Sequence, residues 1–503
     1  MLRPTRLAIV ALLSCAAIAA GAESRPAPLK VCLVSGSEEY RSDASLAAFK
    51  AFLEANYPAR CTLLKAKGFD DLPGLEALDD CDVALFFTRR LTIGGDPLAR
   101  VRKYAESGRP IVALRTASHG FQNWLEFDGQ VLGGHYQNHL GNDVTTRVRL
   151  APEAAGHPVL DGVKGMASLG SLYRNTPLAA DATPLLIGTT PEATEPVAWV
   201  REHKGGRVFT TSIGAPGDFE NASYNRLVAN ALFWTARRDI PQAKAEREPP
   251  PTRPRPEGTL LLKLRTRVQP FKGRGEFEEA AFSKEVPVAE TAIVICDVWD
   301  RHWCGGSSTR CGAIAKAMAP VVAAARAKGV RIVHAPSDCM DFYAGTPQRR
   351  RMQLAPASTP PALLPIDAPA LPIDDSDGGC DTGEPDYLAW TRQHSAIEVG
   401  EFDGVSDNGD EVYNFFKQQG ITTVLVMGVH TNMCVLNRGF AIKRLTRLGM
   451  PCVLVRDLTD TMYDPKDRPF VTHDEGTDLV VKHIEQFWAP SMLSADLVGG
   501  LPK

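Results

Sequence analysis

The residue in this chain best placed to do covalent chemistry is Cys434, in the stretch Gly428-Val429-His430-Thr431-Asn432-Met433-Cys434-Val435. A short apolar run, Thr423 to Met427, precedes it. Val435, Leu436, Phe440, Leu445 and Leu448 follow at helical spacing. A buried strand, a glycine turn and then a helix would put the sulfur where unpaired backbone N–H groups favour a thiolate. The same N–H groups, those of His430 and Cys434, could hold an oxyanion. The partner such a thiol needs is a carboxylate that takes its proton and passes it to a leaving amine. Asp297 fits, because it follows the apolar run Ala292 to Cys296 and so falls at the carboxyl end of a second predicted strand. The competing readings are a buried, inert cysteine and an aspartate that closes a turn.

The Gly-x-x-Thr-x-x-Cys-Val turn together with Asp297 resembles the isochorismatase-like cysteine hydrolase superfamily, which includes nicotinamidases and carbamoylsarcosine amidases. The resemblance covers Ala289 to Ser491. It implies an Asp–Lys–Cys triad, a cis peptide at Val429–His430, and hydrolysis of a small amide or related C–N bond through a thioester. The chain departs from that pattern twice. The segment Trp390 to Ile397, which matches the region of the family lysine, contains no lysine. Arg392 is the nearest cation; it holds a carboxylate or an oxyanion but does not shuttle a proton at neutral pH. In nicotinamidases an Asp-x-His pair holds a metal, whereas here Met340 stands in the place of the histidine. No metal and no cofactor is therefore expected, and a divalent ion would need a recruited set such as Asp338, Asp341 and His302. The acidic loop Asp374 to Asp381 lacks the later bidentate acid of a calcium loop. Trp299, Trp303, Thr431 and Phe342 are the expected substrate-binding residues, with Tyr343 and Trp390 as further wall candidates. The proline-rich Leu354 to Pro372 reads as a lid. Without its lysine, the same chain also fits a second role, a non-catalytic protein binding a small molecule or carbohydrate.

These residues require an open α/β sheet. Runs at Thr291 to Cys296, Val330 to His334, Thr423 to Met427 and Cys452 to Val455 read as strands. Ala313 to Lys328, Val412 to Gln419 and Thr477 to Trp488 read as helices, and Thr259 to Arg267 as an edge strand. A second α/β pattern occupies residues 29–239, with strands at Leu29 to Ser35, Asp82 to Thr88, Ile111 to Leu114 and Val208 to Ser212. It resembles the ThuA-like domains, relatives of the class I glutamine amidotransferase fold, through Val31 to Arg41, Arg115 to Trp124, Gly133 to His139, the pair His157-Pro158, and Ser171 to Asn175. The turn after Leu114 has no cysteine, which argues against glutamine hydrolysis. His119, His135, His139 and Tyr173 are read as lining a ligand site at the strand ends. The expected fold is two three-layer α/β/α domains with mainly parallel sheets, 29–239 and 259–503, joined by the proline-rich linker 240–258.

Arg3 and Arg6 precede an apolar run, Leu7 to Ala20, and Ala20-Gly21-Ala22 offers a small-residue cleavage site. Residues 1–22 thus read as a secretory signal, with the protein periplasmic or extracellular and free of the membrane after cleavage. A net charge of −3 over 503 residues gives no electrostatic case for nucleic acid. The partner expected is a small-molecule substrate, and a homo-oligomer is compatible with the chain. Eleven cysteines, one of them in the signal, leave ten, and among them some of Cys32, Cys61, Cys81, Cys304, Cys311, Cys339, Cys380 and Cys452 could pair in an oxidising compartment.

Overall fold

The computed structural model describes residues 27–141, 144–244, 248–271 and 273–499, so the expected signal, 1–22, lies outside the described residues. Among them no helix is long and apolar enough to cross a membrane. The architecture is mixed α/β, built on two large sheets.

The first sheet begins with β1 (Leu29–Gly36), β2 (Ala59–Lys65), β3 (Val83–Thr88) and β4 (Ile111–Leu114). After a small β5 (Asn138–His139) come β6 (Thr146–Leu150), β7 (Met166–Ser168), β8 (Tyr173–Arg174), β9 (Thr183–Thr189), β10 (Thr194–His203) and β11 (Gly206–Thr211). The order is β2-β1-β3-β4-β11-β10-β9-β6-β7. Pairing is parallel from β2 to β11 and antiparallel from β11 to β7. Strands β3 and β4 are buried along their whole length, as expected for strands covered by helices on both faces. Separate apolar clusters lie on the two faces, one built on the helices Ser42–Asn56 and Ala222–Thr235, the other on Gly95–Glu106. The antiparallel half is an addition that the sequence reading did not anticipate, because its strands alternate or break at prolines rather than forming apolar runs.

The second sheet contains β12 (Thr259–Val268), β13 (Glu278–Pro287), β14 (Thr291–Cys296), β15 (Arg331–Ala335), β16 (Gly404–Val405), β17 (Thr423–Val429), β18 (Cys452–Asp460) and β19 (Ser491–Met492). Its order is β13-β12-β19-β18-β17-β14-β15-β16, parallel from β19 to β16. The expected edge strand is not the edge: β12 is covered by β13, with which it pairs from Thr259↔Pro287 to Val268↔Glu278. Strand β13 is mostly exposed and carries three glutamates, Glu278, Glu279 and Glu285, so charge guards that rim against pairing with another chain.

Strands β14 and β17 are central neighbours, in register from Thr291↔Thr423 to Cys296↔Gly428. At Gly428, φ is 123°, and a Cβ there would lie 1.9 Å from the Cys296 carbonyl oxygen. Only glycine fits this position. The two strands therefore end side by side, and both chemistry-bearing segments leave from the same rim.

The proline-rich stretch does not stand off as a spacer. Arg253 bonds the Arg326 carbonyl at 3.2 Å, and Arg351 and Arg350 reach back to the carbonyls of Pro251 and Glu248 at 2.8 and 2.6 Å. The two sheet-bearing halves also touch. Arg147 on β6 donates to the carbonyls of Leu388 at 2.9 Å and Trp390 at 2.6 Å, and Thr145 donates to that of Ala389.

Candidate functional site

Asp297 follows β14 directly and adopts φ of 51°, a left-handed conformation that aspartate tolerates better than most residues. Its carboxylate is fully buried. Oδ1 accepts the Ser337 N–H at 2.6 Å, and Oδ2 accepts Nε of Arg438 at 3.1 Å. Its charge acts on the Cys434 thiol and is one cause of that thiol's raised pKa. Asp297 and Cys434 are thus brought together, at the ends of adjacent parallel strands.

The peptide Val429–His430 is cis, as the resemblance implied. The turn after it is held from several sides. Thr431 donates its N–H to the Asp460 carbonyl at 2.7 Å, and its hydroxyl pairs with that of Thr459 at 2.7 Å. The Asn432 side chain bonds Asp375 at 2.7 Å and the Met462 carbonyl at 3.0 Å. The His430 ring is buried, 2.6 Å from the Ser307 hydroxyl. Burial, with His302 and Arg310 close by, drives its pKa down to about 3, so the ring is neutral and positions rather than titrates.

Two expectations need correction. The helix after Cys434 is not continuous. It is a single turn, Cys434–Asn437, which the chain leaves at Arg438 before a second short helix, Ile442–Arg447. Just past this break Gly439 crosses against Gly409, where a Cβ on Gly409 would lie 2.3 Å from the Gly439 carbonyl oxygen. One turn supplies little dipole, and the thiol is not acidified. Burial and the Asp297 charge push Cys434 well above an ordinary thiol, against the smaller opposing pull of Arg438. Asp297 is also pushed up, by burial above all, with Arg438 and the Ser337 N–H working against it.

The second correction concerns the cation. Arg392 is not beside Asp297. Its guanidinium pairs with Glu220 of the first half and lies 5.3 Å over the Phe342 ring. The cation at the carboxylate is Arg438, which also reaches Asp338 at 3.4 Å. Sequence reasoning missed it, although its spacing, four residues beyond the cysteine, was a usable signal: one helical turn returns the side chain to the same side.

The aromatic residues divide. Trp299 stacks on Trp390 with ring centroids 3.9 Å apart, and both indole N–H groups donate to the Ser337 carbonyl, at 3.1 and 3.0 Å. They therefore fix Ser337, whose N–H fixes Asp297. Trp303 sits at the border of this cluster, beside His302 at 5.2 Å. Phe342 and Arg392 instead line a cavity of about 380 Å³ between the two halves, opposite Tyr40 and Arg115. Thr431 is wholly buried in its turn.

The family metal site does not fit this chain. Beside Met340, Asp338 is engaged by Arg438, while the Nδ1 of His302 accepts the Cys304 N–H at 3.2 Å. Asp338, Asp341 and His302 do not converge. Among the described residues, the group of three donors that shares a point is a different one, Cys304, Cys380 and Glu384. The acidic loop Asp374 to Asp381 spends its carboxylates on its own backbone, on Asn432 and on Arg310.

In the first half, the turn after β4 places Arg115 at φ of 45° with its guanidinium buried between the rings of Tyr40 and Tyr173, 4.4 and 4.6 Å away. His119 stacks on Tyr136 at 4.5 Å and lies 6.1 Å from Tyr173, which in turn is 6.1 Å from His139. Burial first, then Arg90 and Arg89, take the His119 pKa down to about 3. His135 contributes its backbone to Asn175. The three histidines do not meet as a ligand set.

Residues 30–235 match the family model ThuA, described as trehalose utilisation. Comparison with curated proteins gives no match. A putative ThuA-like protein from Parabacteroides merdae is 12% identical over 43% of this chain and 92% of its own, with a TM-score of 0.35. A cysteine hydrolase from Pseudomonas syringae pv. phaseolicola is 14% identical over 42% of this chain and 92% of its own, with a TM-score of 0.27. An isochorismatase family protein from Burkholderia thailandensis is 15% identical over 42% of this chain and 96% of its own, with a TM-score of 0.26. The family match thus covers residues 30–235, the part of the chain that carries the first sheet.

Proposed function

We propose that the chain is a cysteine hydrolase acting on a small amide or related C–N bond, with the ThuA-like domain as an accessory. The observation that carries this is the fully buried Asp297 carboxylate at the end of β14, whose charge acts on the Cys434 thiol in the turn that follows the adjacent β17. In the reaction Asp297 takes the thiol proton as sulfur attacks the carbonyl carbon. The backbone N–H groups of His430 and Cys434 hold the oxyanion. Collapse breaks the C–N bond, and Asp297 hands its proton to the leaving amine. Water then attacks the thioester, gives up a proton to Asp297, and releases a carboxylic acid with the thiol restored. Arg438 holds the carboxylate in place and favours its charged form; the proton itself travels through Asp297. The raised thiol pKa agrees with general-base activation of a neutral thiol rather than a standing thiolate.

The test is Cys434→Ala against a panel of small amides, with intact-protein mass measured on the wild type quenched during turnover. A thioester adduct on Cys434 and its loss in the variant are expected, and undiminished hydrolysis by the variant would refute the mechanism. The Arg3, Arg6 and Leu7 to Ala20 pattern supports export as part of this proposal, to be checked by cell fractionation.

A second reading, a binding protein without catalysis, draws on the arginine that stands at the carboxylate. The aromatic and histidine cluster of Tyr136, Tyr173 and His119 supports a carbohydrate as its ligand. Under that reading no adduct forms with any amide, and calorimetry with disaccharides gives saturable heat.

A further inference from the structure

Outside the proposed catalytic pair, one cluster gathers unexplained ligating chemistry. Cys304 precedes the long helix Gly305–Lys328, and Cys380 and Glu384 come from a loop far along the chain. One donor atom from each, two sulfurs and a carboxylate oxygen, lie within 4.8 Å of one another. In a tetrahedral zinc site with Zn–S near 2.3 Å, neighbouring sulfurs are about 3.8 Å apart. The cluster therefore closes on an ion with a contraction of about 1 Å or less.

The surroundings are those of an ordered site. The loop is pinned at both sides of Cys380. A Cβ on Gly379 would lie 2.5 Å from the Met462 carbonyl oxygen, and the Gly383 N–H donates to the Cys380 sulfur at 3.3 Å. Such N–H···S bonds orient a thiolate ligand. The Thr382 hydroxyl lies 3.4 Å from the Cys304 sulfur and 3.7 Å from that of Cys380. Asp381, 3.4 Å from the Cys304 sulfur, is held by Arg310 at 2.6 Å and supplies a further carboxylate at the rim. Cys304 is fully buried, Cys380 is half-buried and Glu384 is exposed, so the site has an entry path from solvent.

We infer that Cys304, Cys380 and Glu384 bind one thiophilic divalent cation of the zinc class, with a fourth position open to water or Asp381. Two thiolates select a soft ion over magnesium or calcium. Binding displaces the protons of both thiols to solvent and involves no redox change. The ion would tie the loop to the start of the long helix. The same loop carries Asp375, whose carboxylate receives Asn432 of the nucleophile turn at 2.7 Å, so the tie steadies that turn from outside. This assignment is independent of whether Cys434 is catalytic.

The experiment uses the full chain, reduced and stripped with a chelator, and titrated anaerobically with Co(II) and then Zn(II). Expected are a sulfur-to-cobalt charge-transfer band that saturates at one equivalent, its bleaching by Zn(II), and protection of two thiols from a thiol reagent. Cys304→Ser and Cys380→Ser should each remove the band, whereas Cys434→Ala should keep it. Glu384→Gln, at an exposed position that leaves folding intact, should keep the charge-transfer band but weaken affinity at least about tenfold. The assignment is overturned if no thiolate band forms, if it survives both serine variants, or if mass analysis of the unreduced protein shows Cys304 and Cys380 joined as a disulfide.

Discussion

Arg438 donates Nε to Oδ2 of Asp297 at 3.1 Å, from four residues beyond Cys434. The cysteine and the cation that steadies its base thus come from one helical turn, while the base arrives on the neighbouring strand. Because Arg438 lowers the Asp297 pKa against the larger effect of burial, removing it should shift the protonation of the base upward. Arg438→Met is expected to move the acid limb of the kcat/KM profile to higher pH, and Arg438→Lys to move it less. An unchanged profile in both would show that the arginine serves only the surface.

Asp297→Asn keeps the shape of the site and removes the proton acceptor. The expected loss in kcat is on the order of 10²- to 10⁴-fold. Since burial and the Asp297 charge hold the Cys434 thiol protonated, alkylation by iodoacetamide at neutral pH should be slow in the wild type and faster in Asp297→Asn. A wild-type sulfur that alkylates as a standing thiolate near neutrality would contradict this picture.

The wall beside the acid depends on the other half of the chain. Arg147 on β6 holds the carbonyls of Leu388 and Trp390, and Trp390 stacks on Trp299 above Ser337. Arg147→Ala should leave the fold intact but loosen this wall, raising KM and lowering kcat severalfold on any amide the protein hydrolyses. Steady-state kinetics beside a circular dichroism spectrum would check it.

Much of this was legible in the residues. The strands ending at Cys296 and at Gly428 to Val429 showed themselves as unbroken apolar runs, since a strand buried on both faces cannot alternate. The same runs read Asp297 at a strand end and Cys434 in the turn after the next strand, and β14 and β17 are neighbours in the sheet. What stayed hidden depended on contacts distant in sequence. Arg392 is the cation nearest the family position, one residue off its spacing, but Glu220, from the other half, draws it away. The close meeting of Gly409 and Gly439, just past the break at Arg438, is likewise something no single stretch displays. The antiparallel half of the first sheet was hidden because its strands carry polar residues and prolines on a partly exposed face.

Asp403 offers a test of stability. Its carboxylate is nearly buried and accepts Nε2 of His334 at 2.9 Å, Nη2 of Arg326 at 2.6 Å and the Gly400 N–H at 2.8 Å. Burial opposes its charge, but His334 and Arg326 outweigh that and hold its pKa far below the ordinary 3.8. A depressed carboxylate stabilises the fold at all pH values above its unfolded pKa, and the contribution fades as pH falls toward the folded one. Asp403→Asn should therefore cost about 3 kcal/mol at neutral pH and much less near pH ~2, by urea unfolding at both.

His473 behaves in the opposite sense. Burial works to lower its pKa, but the hydrogen bond to Asp460 at 2.8 Å raises it above the ordinary 6.5. Its contribution is complete below pH 6.5 and drains away as pH rises through the folded value. His473→Gln should flatten the dependence of melting temperature on pH across that window. A wild-type melting temperature that climbs there would exclude the pair.

At Gly428 the spacing between two strands is set by a single hydrogen where every other amino acid has carbon. That atom acts as a gauge. It sets how far apart the acid-bearing and the sulfur-bearing strands emerge, and so whether a proton can cross between them. Even alanine there would wedge the strands apart inside a core with no slack to absorb the change, so the reach of the acid to the sulfur depends on a residue that has no side chain.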